Sequence, residues 1–445
     1  MGGDALTRMS EGGGSATSAG APAGEKRIVG LPKNVVVLGL VSFFNDLGSE
    51  MIFPVLPLFL RAGLGASMSV IGLIDGIAES TASIMKIYAG ALSDRFSRRR
   101  PLVVAGYAIS NVAQPLIGLA RSWPAVLPLR FFDRLGKGVR TAPRDAIIAD
   151  SVDDGVRGWA YGFHRAMDSA GGVLGPLLAF AILAWLAARR GIDGGTLLHE
   201  SASMLAGDYR WVILAAAVPN AIAVGLMFLV RERPRAVAPD GGVDIRPPAG
   251  AFRLLLVAVA LFGLGNLSYS FIVLRAGQLG VSAMILPLLY LFFHLGQTVF
   301  SGPLGALSDR YGRKPVIGAG YAAFALMCAG WATAYAPWHA GALSALYGFS
   351  LACTEGTVRA FGVDLVPTAR RGSALGSLNG IAGLAALPAS LVAGLLWDRF
   401  GGAPAAFAWG AVLATAGTVV LALVPVTAPP SPTGSPSPTG TAHNS

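Results

Sequence analysis

Long apolar stretches separated by short polar ones are the most regular feature of the chain. Each stretch has about 20 residues or more, the length a helix needs to cross the hydrocarbon core of a bilayer. Pro and Gly interrupt many of them, which membrane-spanning helices tolerate. The pattern predicts twelve spanning segments, numbered 1 to 12 in chain order: 35–60, 68–92, 101–120, 124–148, 158–187, 211–230, 253–274, 281–306, 315–335, 338–362, 373–397 and 403–426.

Composition agrees with a membrane protein. Of the 445 residues, 53% are hydrophobic and only 13% charged, about half the charged fraction of a typical soluble protein. Lipid must therefore solvate most of the chain, which excludes a soluble enzyme, a nucleic-acid binder and a disordered scaffold. Cys328 and Cys353 lie inside apolar segments and are interpreted as small buried hydrophobic residues. The five histidines have no metal-ligand spacing, so neither a metal nor another cofactor is predicted.

The net charge of +10 comes from basic clusters between the apolar segments. Lys and Arg concentrate in the N-terminal tail and in the loops after segments 2, 4, 6, 8 and 10, and are sparser in the opposite loops. Basic loops stay in the cytoplasm, so both termini are predicted there, in a multi-pass protein of a bacterial cytoplasmic membrane. The predicted organisation is a disordered tail (1–33), an N-terminal six-helix bundle (34–230), a cytoplasmic linker (231–252), a C-terminal six-helix bundle (253–428) and a second disordered tail (429–445).

The two bundles repeat one another in sequence. GALSDRFSRRRP at 90–101 returns as GALSDRYGRKP at 305–315, and LRAG at 60–63 returns as LRAG at 274–277. Parallel repeats of this kind are typical of transporters that bind their substrate between two halves, near the midplane of the membrane.

The repeated loop resembles the signature G-x-x-x-D-R-x-G-R-R/K of the major facilitator superfamily. The first copy matches at Gly90, Asp94, Arg95, Arg98 and Arg99, with Ser97 in place of a glycine, and the second matches at Gly305, Asp309, Arg310, Gly312, Arg313 and Lys314. The resemblance implies an all-α membrane protein with twelve transmembrane helices in two pseudo-symmetric six-helix bundles. It also implies a gating latch between the halves, formed by Asp94, Arg95, Arg98, Asp309, Arg310 and Arg313. The alternative is that these basic loops only set the topology.

Segment 5 resembles part of the antiporter pattern of the same superfamily. Gly162, Gly171, Gly175 and Pro176 match G-x8-G-x3-G-P, whereas Ala179 and Phe180 replace the pattern's last two glycines. In the superfamily this pattern accompanies proton-driven export. Small residues allow close helix approach and Pro176 removes a helical hydrogen bond, so the segment is predicted to bend. The alternative is generic packing of small residues.

Charged residues inside the predicted segments are costly in lipid and therefore mark function or internal pairing. Segment 4 carries five charges in eleven residues (130–140), too many for a helix that faces lipid. The candidates for proton coupling or for lining the cavity are Asp46, Glu50, Asp75, Glu79, Arg130, Asp133, Arg134, Lys137, Arg165 and Asp168. One interpretation is that a carboxylate of segment 1 or 2 takes up a proton while Arg130 modulates its affinity. The other is a static network of ion pairs.

Two further details of segment 4 support a resemblance to transporters. Arg130 and Gly136 match the superfamily pattern R-x-x-x-x-x-G, commonly linked to proton coupling, and DRLGKGVRTAPRDA at 133–146 resembles a subgroup of functionally unassigned prokaryotic facilitators. Aromatic residues such as Tyr269, Tyr290 and Phe293 either form an apolar substrate wall or, as we favour, pack within the helices.

The function predicted from the sequence is secondary active transport of a small solute, with proton-coupled efflux by an antiporter as the first choice. Carriage of an anionic metabolite, by import or exchange, is the alternative, since segment 4 and Arg165 supply several cations. The chain has no G-x-x-x-x-G-K-[ST] motif for ATP. It also has no nucleophile–base set at membrane depth, so no enzyme is predicted, and a sensor or enzyme on a transporter fold is the reserve hypothesis. The expected partners are the solute, protons and the bilayer, with no nucleic acid, for a monomeric protein.

Overall fold

The computed structural model of the chain describes residues 27–28, 31–94, 98–153, 156–191, 206–232, 250–367 and 370–425. The N-terminal half contains β1 (Arg27–Ile28), β2 (Leu31–Pro32), α1 (Lys33–Ile52), α2 (Leu56–Leu58) followed by a π-helical turn (Phe59–Gly63), α3 (Met68–Asp94), α4 (Arg100–Leu116) followed by a 3-10 turn (Ile117–Leu119), α5 (Trp123–Asp150), α6 (Arg157–Ala188), α7 (Ala206–Ala215) and α8 (Ala217–Met227). The C-terminal half contains α9 (Ala251–Gly265), α10 (Tyr269–Gln278), α11 (Leu286–Tyr311), α12 (Arg313–Thr333), α13 (Trp338–Asp364), α14 (Arg371–Arg399) and α15 (Ala403–Leu423). The predicted tails and linker lie mainly outside the described residues.

Helices occupy all twelve stretches that the apolar pattern predicts. Among the described residues, nine helical stretches are long and apolar enough to cross a membrane. The remaining three, α5, α11 and α13, have 28, 26 and 27 residues, so they have the length of a spanning helix without the apolar composition of the nine. The prediction of a helical membrane protein is thus confirmed, and the count of twelve spans stays a prediction.

Successive spans run in alternate directions between two ends of the molecule, here called the termini end and the far end. At the termini end, the start of α1 meets the residues after α8, because Asn34 Nδ2 donates to the Arg231 carbonyl at 2.6 Å. Near the end of α15, the Lys314 ammonium donates to the carbonyls of Ala422 (2.7 Å) and Val424 (2.8 Å). The halves are aligned by Asp398, at the end of α14, which accepts the backbone amide of Met68 at the start of α3. Since α1 runs toward that end and α15 runs away from it, the described chain begins and ends on one side of the molecule.

The buried apolar side chains form three clusters that show where the two halves meet. The largest lies toward the far end and combines residues of both halves, for example Phe59 with Phe271 and Trp397. Two smaller clusters lie toward the termini end, one built only from the N-terminal half and one only from the C-terminal half. The halves thus share a core at the far end and have separate cores at the termini end.

Helices α3 and α14 form the main seam between the halves and pack along most of their length. Small residues allow this approach: a Cβ on Gly72 would lie 2.1 Å from the Ser390 carbonyl oxygen, and one on Gly383 would lie 2.4 Å from Ser83 Cβ. The Ser80 hydroxyl also donates to the Gly383 carbonyl at 2.6 Å. The other seam, between α6 and α11, is less extensive.

The sequence repeat is also a repeat of contacts. Arg99 pairs with Asp150 at 2.6 Å, and Arg313 pairs with Asp364. Both residues of the second pair lie 214 residues after those of the first, an offset one residue shorter than the 215 of the loop motif, because the first copy of the loop has one extra arginine. Gly106 and Gly320 are equivalent in the same way. A Cβ on Gly106 would lie 2.7 Å from Arg140 Cβ, and a Cβ on Gly320 would lie 2.6 Å from Thr354 Cγ2. Arg140 and Thr354 are themselves equivalent positions, 214 residues apart. Both halves thus use the same helix-packing scheme.

Candidate functional site

The interface between α1 and α6 brings the acidic residues of α1 against a glycine-lined helix face. Asp46 and Glu50 are one helical turn apart and so share a face of α1. A Cβ on Gly171 would lie 2.5 Å from the Phe43 carbonyl oxygen, and one on Gly175 would lie 2.8 Å from Glu50 Cβ. These two glycines of the antiporter pattern therefore let the α6 backbone touch the turn that carries both carboxylates.

The remaining residues of that pattern behave differently. A Cβ on Gly162 would meet no other atom within 4 Å, so this glycine makes no close helix contact. Pro176 is buried within α6, which continues as one helix on both sides of it. Close approach in this pattern is thus a property of its second and third glycines.

A buried carboxylate, Asp133, organises the charges of α5. Its Oδ1 accepts hydrogen bonds from the Ser110 hydroxyl at 2.6 Å and from Gln114 Nε2 at 2.8 Å. Its Oδ2 accepts from Arg130 Nη1 at 2.9 Å and lies 3.5 Å from Arg134 Nε. Both side chains of the Arg130–Asp133 pair are almost fully buried, so α4 and α5 enclose a compact polar network.

Arg134 and Lys137 extend this network toward the space between the halves. Arg134 Nη1 lies 3.5 Å from Glu79 Oε1, and its guanidinium lies 5.9 Å from the centre of the Phe53 ring. Lys137 forms no ion pair within 4 Å with the described residues, although Asp46 and Glu50 are close enough to interact with its charge. Lys137 is therefore a cation available to a ligand or to a nearby carboxylate.

A pocket brings half of the ten predicted charged residues together, between the last turn of α1 and the middle of α5. Four cationic side chains and two carboxylates line it, together with polar and apolar neighbours. The lining residues are Ser49, Glu50, Ile52, Phe53, Gln114, Arg130, Asp133, Arg134, Lys137 and Arg140.

Two predicted acids lie against the opposite half of the molecule. Asp75 accepts hydrogen bonds from the hydroxyls of Ser268 (2.6 Å) and Ser270 (2.5 Å), both at the start of α10. Glu50 is within hydrogen-bonding reach of the Tyr290 hydroxyl on α11, while its Oε2 is buried without a hydrogen-bond partner in the described structure. These acids thus lie where the halves meet.

The charges of α6 form a separate group. His164 Nε2 lies 3.7 Å from Asp168 Oδ1, on the next turn of the helix. Arg165 is exposed and is close enough to interact electrostatically with His294 on α11. Asp168 interacts with Asp46 across the α1–α6 interface. This group borders the Asp46 side of the cavity and does not line the pocket around Arg134.

The predicted gating residues lie at the termini end. Arg313 lies 3.5 Å from Asp309 and also pairs with Asp364, all within the C-terminal half. Arg98 is exposed, and the Arg310 guanidinium lies 5.4 Å from the centre of the neighbouring Tyr311 ring. Arg95 and the side chain of Asp94 lie outside the described residues. The described contacts of this set therefore stay within one half.

Several polar residues of the site were not singled out from the sequence. Ser110 and Gln114 bind Asp133, and Asn220 Nδ2 of α8 donates to Gln114 Oε1 at 2.9 Å. Ser268 and Ser270 bind Asp75 from the other half. Their shared signal is a polar side chain inside an apolar segment, which is weaker for neutral groups than for charges.

Chemically, the arrangement can hold a proton or a charged group of a solute. Buried carboxylates and cations lie side by side between two halves that share a core at one end only. Within the described part of the chain, no group of three His, Cys, Asp or Glu side chains is placed to bind a metal ion.

Comparison with known proteins gives consistent matches. The family model for the Major Facilitator Superfamily matches residues 38–274 and 253–443. An uncharacterized MFS-type transporter of Methanocaldococcus jannaschii is 34% identical over 405 residues, which cover 88% of this chain and 95% of the relative. A multidrug resistance protein of Yersinia pestis, MdtH, is 27% identical over 194 residues, covering 42% and 46%. The crystal structure of a POT family transporter with a thioalcohol-conjugated peptide superposes with a TM-score of 0.71 at 12% identity, covering 90% and 97%.

Proposed function

The chain belongs to the Major Facilitator Superfamily of membrane transporters, and from this premise we propose that it is a proton-coupled antiporter. In this proposal it exports an amphipathic small molecule in exchange for protons. The two halves expose the cavity between them first to one side of the membrane and then to the other. Asp46 and Glu50 are the proton-binding groups, and Lys137 and Arg134 set how tightly they hold a proton.

The observation that carries this proposal is the contact of Gly171 and Gly175 with the turn of α1 that holds Asp46 and Glu50. Any movement of α6 against α1 changes the surroundings of both carboxylates. Protonation and helix movement are thereby coupled through direct packing. The name of the Yersinia pestis relative, a multidrug resistance protein, favours export as the direction.

Antiport requires that the solute and the proton exclude one another. A cationic group placed at Glu50 favours the ionised carboxylate, so its binding releases a proton, and a proton on Glu50 weakens its binding. Inward flow of protons can then drive the cation outward.

This proposal is tested by measuring proton release in weakly buffered solution. The ligand is the best-bound compound of a thermal-shift panel that includes amphipathic cations such as ethidium. We expect roughly one proton released per ligand bound at neutral pH, and loss of that release in Glu50→Gln. Glu355→Gln, the same change on α13, is the matched control and retains the release. Ligand binding without proton release by the parent protein contradicts antiport at this site.

A second candidate function is carriage of an organic anion together with protons. The pocket favours it, because four cations and two carboxylates line the pocket and Lys137 forms no ion pair there with the described residues. An anion beside Lys137 stabilises the protonated form of Glu50, so anion and proton bind together. The same measurement separates the candidates, since binding of an anion such as benzoate then takes up protons.

The proposal also includes the placement of the protein in the cell. We propose a monomer in the cytoplasmic membrane, with the termini end in the cytoplasm and six-helix bundles at 34–230 and 253–428. The basic residues Arg98, Arg99 and Arg100 support this orientation, because positively charged loops remain on the cytoplasmic side. The far end then faces the outside.

A further inference from the structure

At the far end, a carboxylate of the N-terminal half bonds to the start of a helix of the C-terminal half. Asp75 of α3 is 6% exposed and accepts the hydroxyls of Ser268 and Ser270 at 2.6 and 2.5 Å. Ser268 is the N-cap of α10, since its hydroxyl also accepts the Ser270 amide at 3.3 Å. The carboxylate thus lies beside the positive end of α10.

The reverse arrangement occurs at the end of the same seam. Asp398, in the last turn of α14, accepts the backbone amides of Met68 (3.1 Å) and Ser69 (2.7 Å). Those amides open α3 and have no partner within their own helix, so the carboxylate satisfies them. Each half therefore offers one carboxylate to a helix N-terminus of the other.

Aromatic rings fill the space between the two halves next to Asp75. The Phe53 ring, from the N-terminal half, lies 5.9 Å from the ring of Tyr269 and 5.2 Å from that of Tyr290, both from the C-terminal half. Tyr269 and Tyr290 are each 5% exposed. Packing of these rings thus closes the far end. Asp75 and Asp398 hold together the helices of the two halves that lie around the rings.

We propose that Asp75 and Asp398 form a two-part clasp that keeps the far end closed, and that both parts must release before the cavity opens to the far side. The inference rests on transport by alternating access and is independent of the solute and of the coupling ion. All four donors belong to the opposite half, so separation of the halves at this end breaks every bond of the clasp. The ion pairs at the termini end, by contrast, lie within single halves.

The clasp is tested by measuring the distance between the halves at the far end. Spin labels are attached to two introduced cysteines, Ser122→Cys at the start of α5 and Tyr335→Cys between α12 and α13. Cys328→Ala and Cys353→Ala remove the two native thiols. Double electron–electron resonance on the full chain in nanodiscs measures the distance between the two labels. For the labelled protein without clasp substitutions, we expect one short distance. In Asp398→Asn, we expect a roughly tenfold rise in the ratio of long to short distances, because a charge-assisted pair of bonds is lost.

A second variant and a control complete the experiment. Ser268→Ala combined with Ser270→Ala removes the donors to Asp75 without touching a carboxylate, and is expected to shift the distances in the same direction. Asp364→Asn removes an ion pair at the termini end and is expected to leave the far-end distances unchanged. Unchanged distances in both clasp variants overturn the proposal, as does an equal shift in the control. Proton release on ligand binding, measured in parallel, reports separately on antiport.

Discussion

At the scale of single residues, hydrogen bonding separates the acidic side chains into two kinds. Both Asp133 oxygens accept hydrogen bonds from a hydroxyl, an amide or a guanidinium, and the side chain is buried. Glu50, in the same pocket, has a buried oxygen without a hydrogen-bond partner in the described structure. A buried carboxylate whose oxygens all accept hydrogen bonds stabilises the fold, whereas one with an oxygen free of hydrogen bonds is able to bind a proton or a ligand.

This difference predicts opposite effects of two conservative substitutions. Asp133→Asn leaves Arg130 and Arg134 buried with a lost counter-charge, so it is expected to lower the free energy of unfolding by about 3–5 kcal/mol. Glu50→Gln removes a charge that the structure satisfies incompletely, so its expected cost is below about 1 kcal/mol. Thermal unfolding in a single detergent checks both. The assignment is wrong if Glu50→Gln is the more damaging change.

At the scale of secondary structure elements, the pair α1–α6 shows how helix packing places the candidate proton site. Gly175 lies where α6 touches the backbone of α1. A Cβ added to Gly175 would lie 2.8 Å from Glu50 Cβ and 2.9 Å from the Leu47 carbonyl oxygen. Backbone atoms cannot move aside as a flexible side chain can. Even one added methyl group must therefore push the two helices apart.

Two glycine-to-alanine changes on α6 make this testable. Gly175→Ala is expected to cost about 1–3 kcal/mol of stability and to slow proton-driven transport at least tenfold, because α6 is displaced from Asp46 and Glu50. Gly162→Ala adds a methyl group into open space, so it is expected to keep full transport and to be neutral or slightly stabilising. Flux into proteoliposomes and thermal unfolding measure the two effects. Equal behaviour of the variants contradicts the packing argument.

At the scale of the whole molecule, the halves share a packing scheme but differ in the chemistry of their inner faces. Positions related by the repeat carry Asp75 and Tyr290, Glu79 and His294, Asp133 and Tyr347. The N-terminal half thus presents charges where the C-terminal half presents rings, and Tyr290 and Tyr347 each pack against Phe293. One half thus carries an ionisable inner face, and the other carries an aromatic surface that packs against it.

The duplicated ion pairs at the termini end give a prediction that compares the halves directly. The Arg99 side chain is 7% exposed, and that of its counterpart Arg313 is 28% exposed. Loss of a counter-charge costs more for the more buried cation, so Asp150→Asn is expected to destabilise by about 1–3 kcal/mol and Asp364→Asn by less than about 1 kcal/mol. The free energies of unfolding of both variants, measured by calorimetry or fluorescence, test this prediction. A larger effect in the C-terminal half contradicts the argument from burial.

The sequence was sufficient for features that depend on neighbours along one helix. Apolar length predicted the helices, and the four-residue spacing of Asp46 and Glu50 predicted their shared face. The partners of Asp75 were not predictable in this way, because Ser268 and Ser270 are more than 190 residues away and reach it only through the pairing of the halves. Ser110 was missed for a related reason, since a neutral hydroxyl in an apolar helix gives no periodic signal.

The concentration of charge on one inner face has an electrical consequence. A membrane potential does work of about 2.3 kcal/mol on each elementary charge moved through 100 mV. Asp46, Glu50, Glu79 and Lys137 all belong to the N-terminal half, whereas aromatic side chains dominate the opposing face. Voltage therefore acts mainly on one of the two bodies, and any voltage dependence of the protein is expected to arise from the motion of the N-terminal half.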